Sequence, residues 1–256
     1  MANIIDINSD LGESFGAYSI GADMQVLSRI TSANVACGWH AGDPLVMQRT
    51  VKAAGEQNVA IGAHPGFPDL MGFGRRNMQI SPEEAAAYVT YQVGALAAFV
   101  RAEGMKLQHV KLHGALYNMA AKDVKLAAAV CKAVARMDEN LIMLGPSGSC
   151  LITEARKCGL RAASEVFADR AYQEDGSLVP RSMPGAVIHD AKEALERVIR
   201  VIEKGTVITM SGMEIPLEVQ SVCVHGDNPQ ALTFVESIQS ELEARGIHSV
   251  PLGRIV

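Results

Sequence analysis

The chain has 256 residues, 48% hydrophobic and 20% charged, which suits one large α/β domain or two small ones and excludes an intrinsically disordered chain. A formal charge of −5 and a pI of about 5.8 lack the basic footprint of a nucleic-acid binder, and no stretch approaches the roughly 18 apolar residues of a membrane span. Five cysteines without a C-x-x-C pair fit reduced thiols better than a disulfide framework or zinc knuckle. The opening MANIIDINSDLG has no basic n-region and no long apolar h-region, so a cytoplasmic protein without a signal peptide is expected.

Short β-rich runs alternate with helical patterns along the chain. Ile4–Asn8 is the first run and Asn34–Cys37 the second. Asp43-Pro44 then opens a helix reaching about Gly55. Val59–Ala63 is the third run. Ser81-Pro82-Glu83-Glu84 is a capping box with proline at the first helical position, and Gly104 closes that helix. His109–His113, Leu141–Leu144 and Ala163–Phe167 follow. Residues 205 to 219 break the rhythm with a hairpin turning near Gly212. Ser221–His225 is the last run, and Asn228-Pro229 opens a helix running to Gly246. Seven repeats of strand then helix imply parallel strands with right-handed crossovers, in a closed barrel or an open doubly wound sheet. No G-x-G-x-x-G follows the first strand, which weakens the dinucleotide-binding open sheet. The expected fold is α/β, a seven-stranded parallel (β/α) barrel of TIM-like type with one inserted hairpin. No linker or composition shift divides residues 1 to 256, so a single domain is expected.

In a parallel barrel the chemistry sits where strands end. The first strand is followed by Asn8, Asp10 and Glu13, the second by His40 and Asp43, and the third by His64, Asp69, Arg75 and Arg76. The fourth gives Lys111, His113, Tyr117 and Asn118. The sixth gives Glu165, Asp169, Arg170 and Tyr172, and the seventh gives His225 and Asp227. His40, His64, His113 and His225 are four of the seven histidines, and the fold would bring them to one mouth. Strand alternation turns Val110 and Leu112 toward the helices and Lys111 and His113 inward. It likewise turns Cys223 and His225 inward, and gives Asp6, Asn8 and Asp10 one parity. A lysine or aspartate inside a barrel is costly unless paired or functional.

Plainer roles compete for several of these residues. Asp43 before Pro44 serves as a helix cap at least as readily as a catalyst. Cys37 and Cys223 fit as small buried hydrophobes, Trp39 as packing, and Gly62, Gly66, Gly72 and Gly74 as turn residues. The Gly72–Arg76 run would alternatively expose backbone N–H groups to an anion, and GPSGS at 145 to 149 is a weak hint of a phosphate loop. H-E-x-x-H, G-x-S-x-G and Walker A patterns are all absent. A metal site is compatible with the histidines and carboxylates, but their spacings are not diagnostic. The residues by themselves describe a barrel enzyme with His/Asp acid–base chemistry on a small polar substrate.

Six blocks, NSDLGE, ACGWHAGDP, GAHPGFPD, KLHGALYN, EVFADRAY and CVHGD, together resemble the LamB/YcsF family, the A subunits of bacterial ATP-dependent 5-oxoprolinase. The resemblance runs from Asn8 to Asp227 and beyond. It implies a seven-stranded barrel similar to the glycoside hydrolase/deacetylase superfamily. It also implies cleavage of 5-oxo-L-proline to L-glutamate coupled to ATP hydrolysis, in company with partner subunits B and C. No nucleotide motif is recognisable here, so ATP is expected mainly on the partners. Within that reading Asp10 is the expected general base and His113 or His225 the expected acid, with His64 and Asp227 as further catalytic candidates. Asn8, Glu13, His40, Lys111, Asn118, Glu165, Asp169 and Arg170 are expected to bind substrate, with Lys111 or Arg170 neutralising phosphate or the substrate carboxylate. Metal-dependent deacetylases with this fold use an Asp plus an H-x-x-x-H pair. That pair is not identified here, so no metal is carried over. The competing activity is a stand-alone, metal-assisted hydrolase of amide or N-acetyl bonds. A purely positioning role beside the partners is the third reading, and the strand-end histidines and carboxylates argue against it.

Overall fold

Alternation along the first strand separates two environments. In β1 (Ile4–Leu11), Ile5, Ile7 and Leu11 join the main apolar core, while Asp6, Asn8 and Asp10 bond to side chains of other strands inside the sheet. The computed structural model describes residues 4–21, 23–224 and 231–256, apart from the side chain of Ala231. After β1 come α1 (Asp23–Leu27), β2 (Ser32–Ala36), α2 (Pro44–Glu56) and β3 (Ala60–His64). α3 (Pro82–Ala102) and β4 (Leu107–Lys111) follow, then two helices, α4 (Gly114–Lys122) and α5 (Val124–Met137). β5 (Ile142–Pro146), α6 (Cys150–Lys157) and β6 (Arg161–Phe167) continue the alternation. After β6, residues 168 to 190 form a long loop tied by isolated bridges Arg170–Val187 and Tyr172–Leu178. Then come α7 (Ala191–Lys204), an antiparallel hairpin of β7 (Thr206–Ile208) and β8 (Glu214–Pro216), β9 (Ser221–Cys223), α8 (Ala231–Ala244) and β10 (His248–Ser249).

Strands β1 to β6 pair in sequence, all parallel; β9 follows β6 and pairs back onto β1, matching Asp6 with Ser221 and Asn8 with Cys223. The result is the expected closed seven-stranded barrel. β10 adds to the start of β1, at Ile4 and Ile5. The hairpin lies where the sequence placed it, with Gly212 at φ +85°. Both expected caps form: Asp43 accepts from Leu45 N and Val46 N, and Ser81 with Glu84 closes a capping box. At the strand-start end, Leu252 packs against Ile142, Leu144 and Ala163, and Arg161 donates to Val256 O at 2.9 Å. The opposite end is left for the loops that follow the strands.

The interior is polar, and Gly62 shows how tightly it is filled. A Cβ on Gly62 would fall on the His109 ring. Glycine on β3 therefore leaves the space that His109 on β4 needs to reach Asn34 Oδ1, at 2.7 Å. Near the floor, buried Asp6 accepts from Thr31 Oγ1 at 2.7 Å, Ser32 Oγ at 2.6 Å and the Ser221 hydroxyl. Burial outweighs these hydroxyls and pushes the Asp6 carboxyl up to about 6. The fold thus favours protonated Asp6 more than the unfolded chain does. Its contribution is full below about pH 4 and is lost as pH rises through about 6, on the order of 3 kcal/mol in all. Asp23, also pushed up by burial to about 6, acts in the same window and direction. Urea unfolding of wild type and Asp6→Asn across that window isolates the Asp6 share: the stability difference should shift in favour of the variant as pH rises. A difference independent of pH would show that Asp6 stays ionised in the fold.

Candidate active site

Alternation on β4 turns Lys111 into the barrel, and the neighbouring strands supply its partners. Its ammonium lies 3.0 Å from Asp10 Oδ1, 3.0 Å from Glu165 Oε2, 3.1 Å from Asn8 Oδ1 and 3.2 Å from Cys223 Sγ. Lys111 is only 2% exposed. Burial opposes its charge, yet Asp10 and Glu165 hold its pKa well above the ordinary lysine value. The carboxylates are themselves fixed. Asp10 Oδ1 also accepts from Asn34 Nδ2 at 2.8 Å, and Glu165 Oε1 accepts from Tyr117 OH at 2.7 Å. Asn34 in turn reaches Asn8 Oδ1 at 2.7 Å, and Asn8 Nδ2 donates to Ser221 Oγ at 2.7 Å. The network runs without a gap from Asp6 on the floor to Asp10 at the mouth. His109, buried within it, is lowered to about 3 by burial and by the Lys111 charge, and so is neutral.

Three histidines from three strand ends meet beside Asp10. His64 Nε2 is 3.3 Å from Asp10 Oδ2 and 2.9 Å from His113 Nδ1. His40 stacks on His113 with ring centroids 3.6 Å apart and planes 3° from parallel. Glu13 Oε1 lies 3.4 Å from His40 Nε2 and 3.6 Å from His113 Nδ1. Burial first, and the adjacent histidines second, hold His40 and His113 well below the ordinary imidazole pKa. Neither ring nitrogen of His40 has a hydrogen-bond partner among the described residues. The loop after β3 is shaped around these rings. A Cβ on Gly66 would come 2.8 Å from His40 Nδ1, and one on Gly74 would come 2.7 Å from His40 Cβ and 2.9 Å from His113 Cδ2. Phe73 adopts φ +53°, a left-handed conformation that side chains other than glycine rarely take, and its carbonyl accepts from His113 Nε2 at 2.8 Å.

A cavity of about 790 Å³ opens above this centre, with Asp10, His64, Lys111, His113, Tyr117 and Glu165 among its lining residues. Asn118 is exposed on its wall. Arg170 also lines it, but its guanidinium donates to Ala186 O at 3.2 Å and Val179 O at 2.6 Å. It therefore fastens the loop of residues 168 to 190, with its pKa lowered by burial to about 10. Asn8, Glu13 and His40 stand behind the lining residues rather than among them, and Asp169 is likewise not one of them. His225 and Asp227 lie outside the described residues. The Gly72–Arg76 run is closed by its own aspartate, since Asp69 pairs with Arg76 and accepts from Gly72 N at 2.9 Å. In the GPSGS segment Ser149 caps α6 and Ser147 accepts from Glu218 N at 2.8 Å. Trp39 packs on Tyr88 and Tyr91, and burial pushes the Cys37 thiol up to about 12. Asn34 and His109 were missed as site-supporting residues; His109 carries a readable signal, because it shares the parity of Lys111 and His113.

A closed parallel barrel with one buried lysine, two mouth carboxylates and three clustered histidines defines a hydrolase-type α/β barrel. The catalytic domain of a peptidoglycan N-acetylglucosamine deacetylase from Eubacterium rectale shares the fold, with a TM-score of 0.52 and 11% identity over 98% of this chain and 89% of that one. The chain belongs to the LamB/YcsF family, whose model matches residues 5–256. It is 56% identical over 251 residues to the 5-oxoprolinase A subunit of Clostridium beijerinckii, covering 98% of each chain. It is 55% identical over 252 residues to the 5-oxoprolinase A subunit of Pyrococcus furiosus, covering 98% of this chain and 99% of that one. The crystal structure of a lactam utilization protein from Thermus thermophilus has a TM-score of 0.91 and 44% identity, covering 98% of this chain and all of that one.

Lys111 is the test of the network. Lys111→Met keeps the length of the side chain but leaves Asp10 and Glu165 without their shared cation. Losing one partner of a buried ion pair typically costs about 3–5 kcal/mol, and denaturant unfolding should show a loss of that order. A loss below about 1 kcal/mol, the range of an ordinary surface change, would mean the carboxylates do not depend on it.

Proposed function

We propose that this protein is the A subunit of a 5-oxoprolinase, opening the lactam of 5-oxo-L-proline to L-glutamate in a reaction coupled to ATP hydrolysis. The carrying observation is Asp10, held at the mouth between Lys111 and His64, in a chain more than half identical over its full length to 5-oxoprolinase A subunits. A lactam is a poor electrophile, and phosphorylation of its carbonyl oxygen makes the ring carbon attackable. Water then adds to that carbon, the ring C–N bond breaks as the nitrogen gains a proton, and the acyl phosphate left behind takes up a second water to give glutamate and phosphate.

Asp10 is assigned as the base that takes a proton from the attacking water. Its Oδ2 faces His64, while Oδ1 is occupied by Lys111 and Asn34. The same carboxyl, once protonated, is the donor to the leaving nitrogen. His113 is poorly placed for that step, because its two ring nitrogens face Phe73 O and His64. Lys111 supplies positive charge beneath the developing oxyanion. The cavity of about 790 Å³ exceeds what a five-membered lactam fills, and Arg75 and Arg181 on its wall suit a phosphoryl group. No nucleotide-binding motif is present, so ATP is assigned mainly to partner subunits B and C. A cytoplasmic location belongs to the same proposal. Among the described residues no helix is long and apolar enough to cross a membrane.

Asp10→Asn separates a proton-accepting role from a positioning one, because Asn retains an oxygen acceptor but cannot take the proton. In a mixture with subunits B and C, the folded variant should form glutamate about 10²–10⁴-fold more slowly. ATP consumption should persist, as unattacked intermediate decays back to lactam. A folded Asp10→Asn protein that forms glutamate at the full rate would remove Asp10 from the chemistry.

A further inference from the structure

His64 and His113 meet in an arrangement that two neutral imidazoles do not hold unaided. A backbone carbonyl accepts and never donates. His64 Nδ1, 2.8 Å from Lys111 O, and His113 Nε2, 2.8 Å from Phe73 O, therefore carry the ring protons. The other nitrogens, His64 Nε2 and His113 Nδ1, are left with lone pairs that face each other at 2.9 Å. A positive species has to sit between or beside them. A single shared proton would create an imidazolium in a buried setting, stacked 3.6 Å from a third imidazole, His40. A metal cation satisfies both lone pairs without charging either ring.

The surroundings have the form of a ligand shell. Ligand atoms about 2.0–2.1 Å from a tetrahedral ion lie about 3.4 Å from one another. His64 Nε2 to His113 Nδ1 is 2.9 Å, and His113 Nδ1 to Glu13 Oε1 is 3.6 Å. Atoms of Glu13, His40, His64 and His113 all fall within 4.8 Å of one another. The His64 and His113 rings are perpendicular, at 90°, so the two facing nitrogens belong to rings that do not stack on each other. His40 cannot join them as it stands. Its ring is parallel to His113, so a point in one ring plane lies well outside the other. Both ligating rings donate their second N–H to a backbone carbonyl, the usual support behind metal-bound histidine.

We propose that Glu13, His64 and His113 form a site for one divalent, nitrogen-accepting cation of the zinc or cobalt class, with an open position toward Asp10 and the cavity. Asp10 Oδ2 stands 3.3 Å from His64 Nε2 on that side. Three protein ligands with one open position is the arrangement of catalytic rather than structural zinc, and the cation would supply a Lewis acid at the inner end of the cavity. This reverses the expectation of no metal; the one H-x-x-x-H spacing, His109 and His113, does not mark the site, because His109 turns to Asn34. The three ligands follow β1, β3 and β4, so no local spacing announces them. The site stands on geometry and is independent of the 5-oxoprolinase reading; a binding experiment can fail without touching that reading.

The test is calorimetric and spectroscopic titration of the metal-depleted full-length protein with cobalt(II). One ion per chain is expected at micromolar concentration, with tetrahedral cobalt absorption and a rise in the melting temperature. Glu13→Gln and His113→Asn should each weaken binding by more than the roughly 10–100-fold cost of losing a supporting contact. If either variant fails to fold, imidazole nitrogen resonances of His64 and His113 in the wild type decide the matter, because zinc should move both. Wild type that takes up no cobalt, binding that survives both substitutions in folded protein, or a proton shared between the two rings that persists in saturating zinc would each overturn the proposal.

Discussion

Everything at the barrel mouth depends on one buried ammonium. Lys111 reaches Asp10 and Glu165 from inside the barrel, and both carboxylates line the cavity. Burying such a trio is costly unless each remaining lone pair is met. Tyr117 meets one oxygen of Glu165, and Asn34 meets one of Asp10. Asn8 accepts from both Asn34 and Lys111. Because Asp10 and Asn8, Asn34, Lys111 and Glu165 come from β1, β2, β4 and β6, the polar interior also fixes barrel register: a slip of one residue on any of these strands would send its inner side chain into the apolar shell. Stability comes from the outer layer, where Ile7, Leu11, Val35, Val110 and Val222 are fully buried against the helices. The inside is left to chemistry.

The same rigidity extends to the loop after β3. Gly66 and Gly74 let its backbone lie directly on the histidine rings, and Phe73 takes a left-handed conformation that delivers its carbonyl to His113. A left-handed non-glycine residue held against a site is the kind of strain a structure keeps only where its surroundings over-determine it. Another wall is built by residues 168 to 190, a long connection fastened by Arg170. A fixed floor below variable loops is how barrels of this type support many reactions. The deacetylase likeness therefore speaks to fold, and the full-length relatives speak to chemistry.

The alternation of inner and outer side chains was the most legible property of the chain. Lys111 and His113 against Val110 and Leu112, and Asp6, Asn8 and Asp10 against Ile5 and Ile7, mark out the polar interior in the sequence itself. Strand ends placed Asp10, His64 and His113 together for the same reason. Contacts between strands were less legible. Nothing in Gly62 alone announces that His109 fills its missing side chain, and no spacing joins Glu13 to His113. Arg170 was assigned to substrate on its charge, whereas two of its donors go to carbonyls of its own loop, because a loop of that length needs internal ties that propensity does not reveal. Asp43 resolved toward its plainer role, with one oxygen on two helix N–H groups and the other accepting from Gly16 N at 2.8 Å.

The central claim is that this barrel is where the activated lactam is opened. It is tested most directly by measuring glutamate formed from 5-oxoproline and ATP in three mixtures: this chain alone, subunits B and C alone, and all three together. Glutamate should appear at a full rate only in the complete mixture. If B and C alone form glutamate at that rate, the barrel mouth is not the site of ring opening.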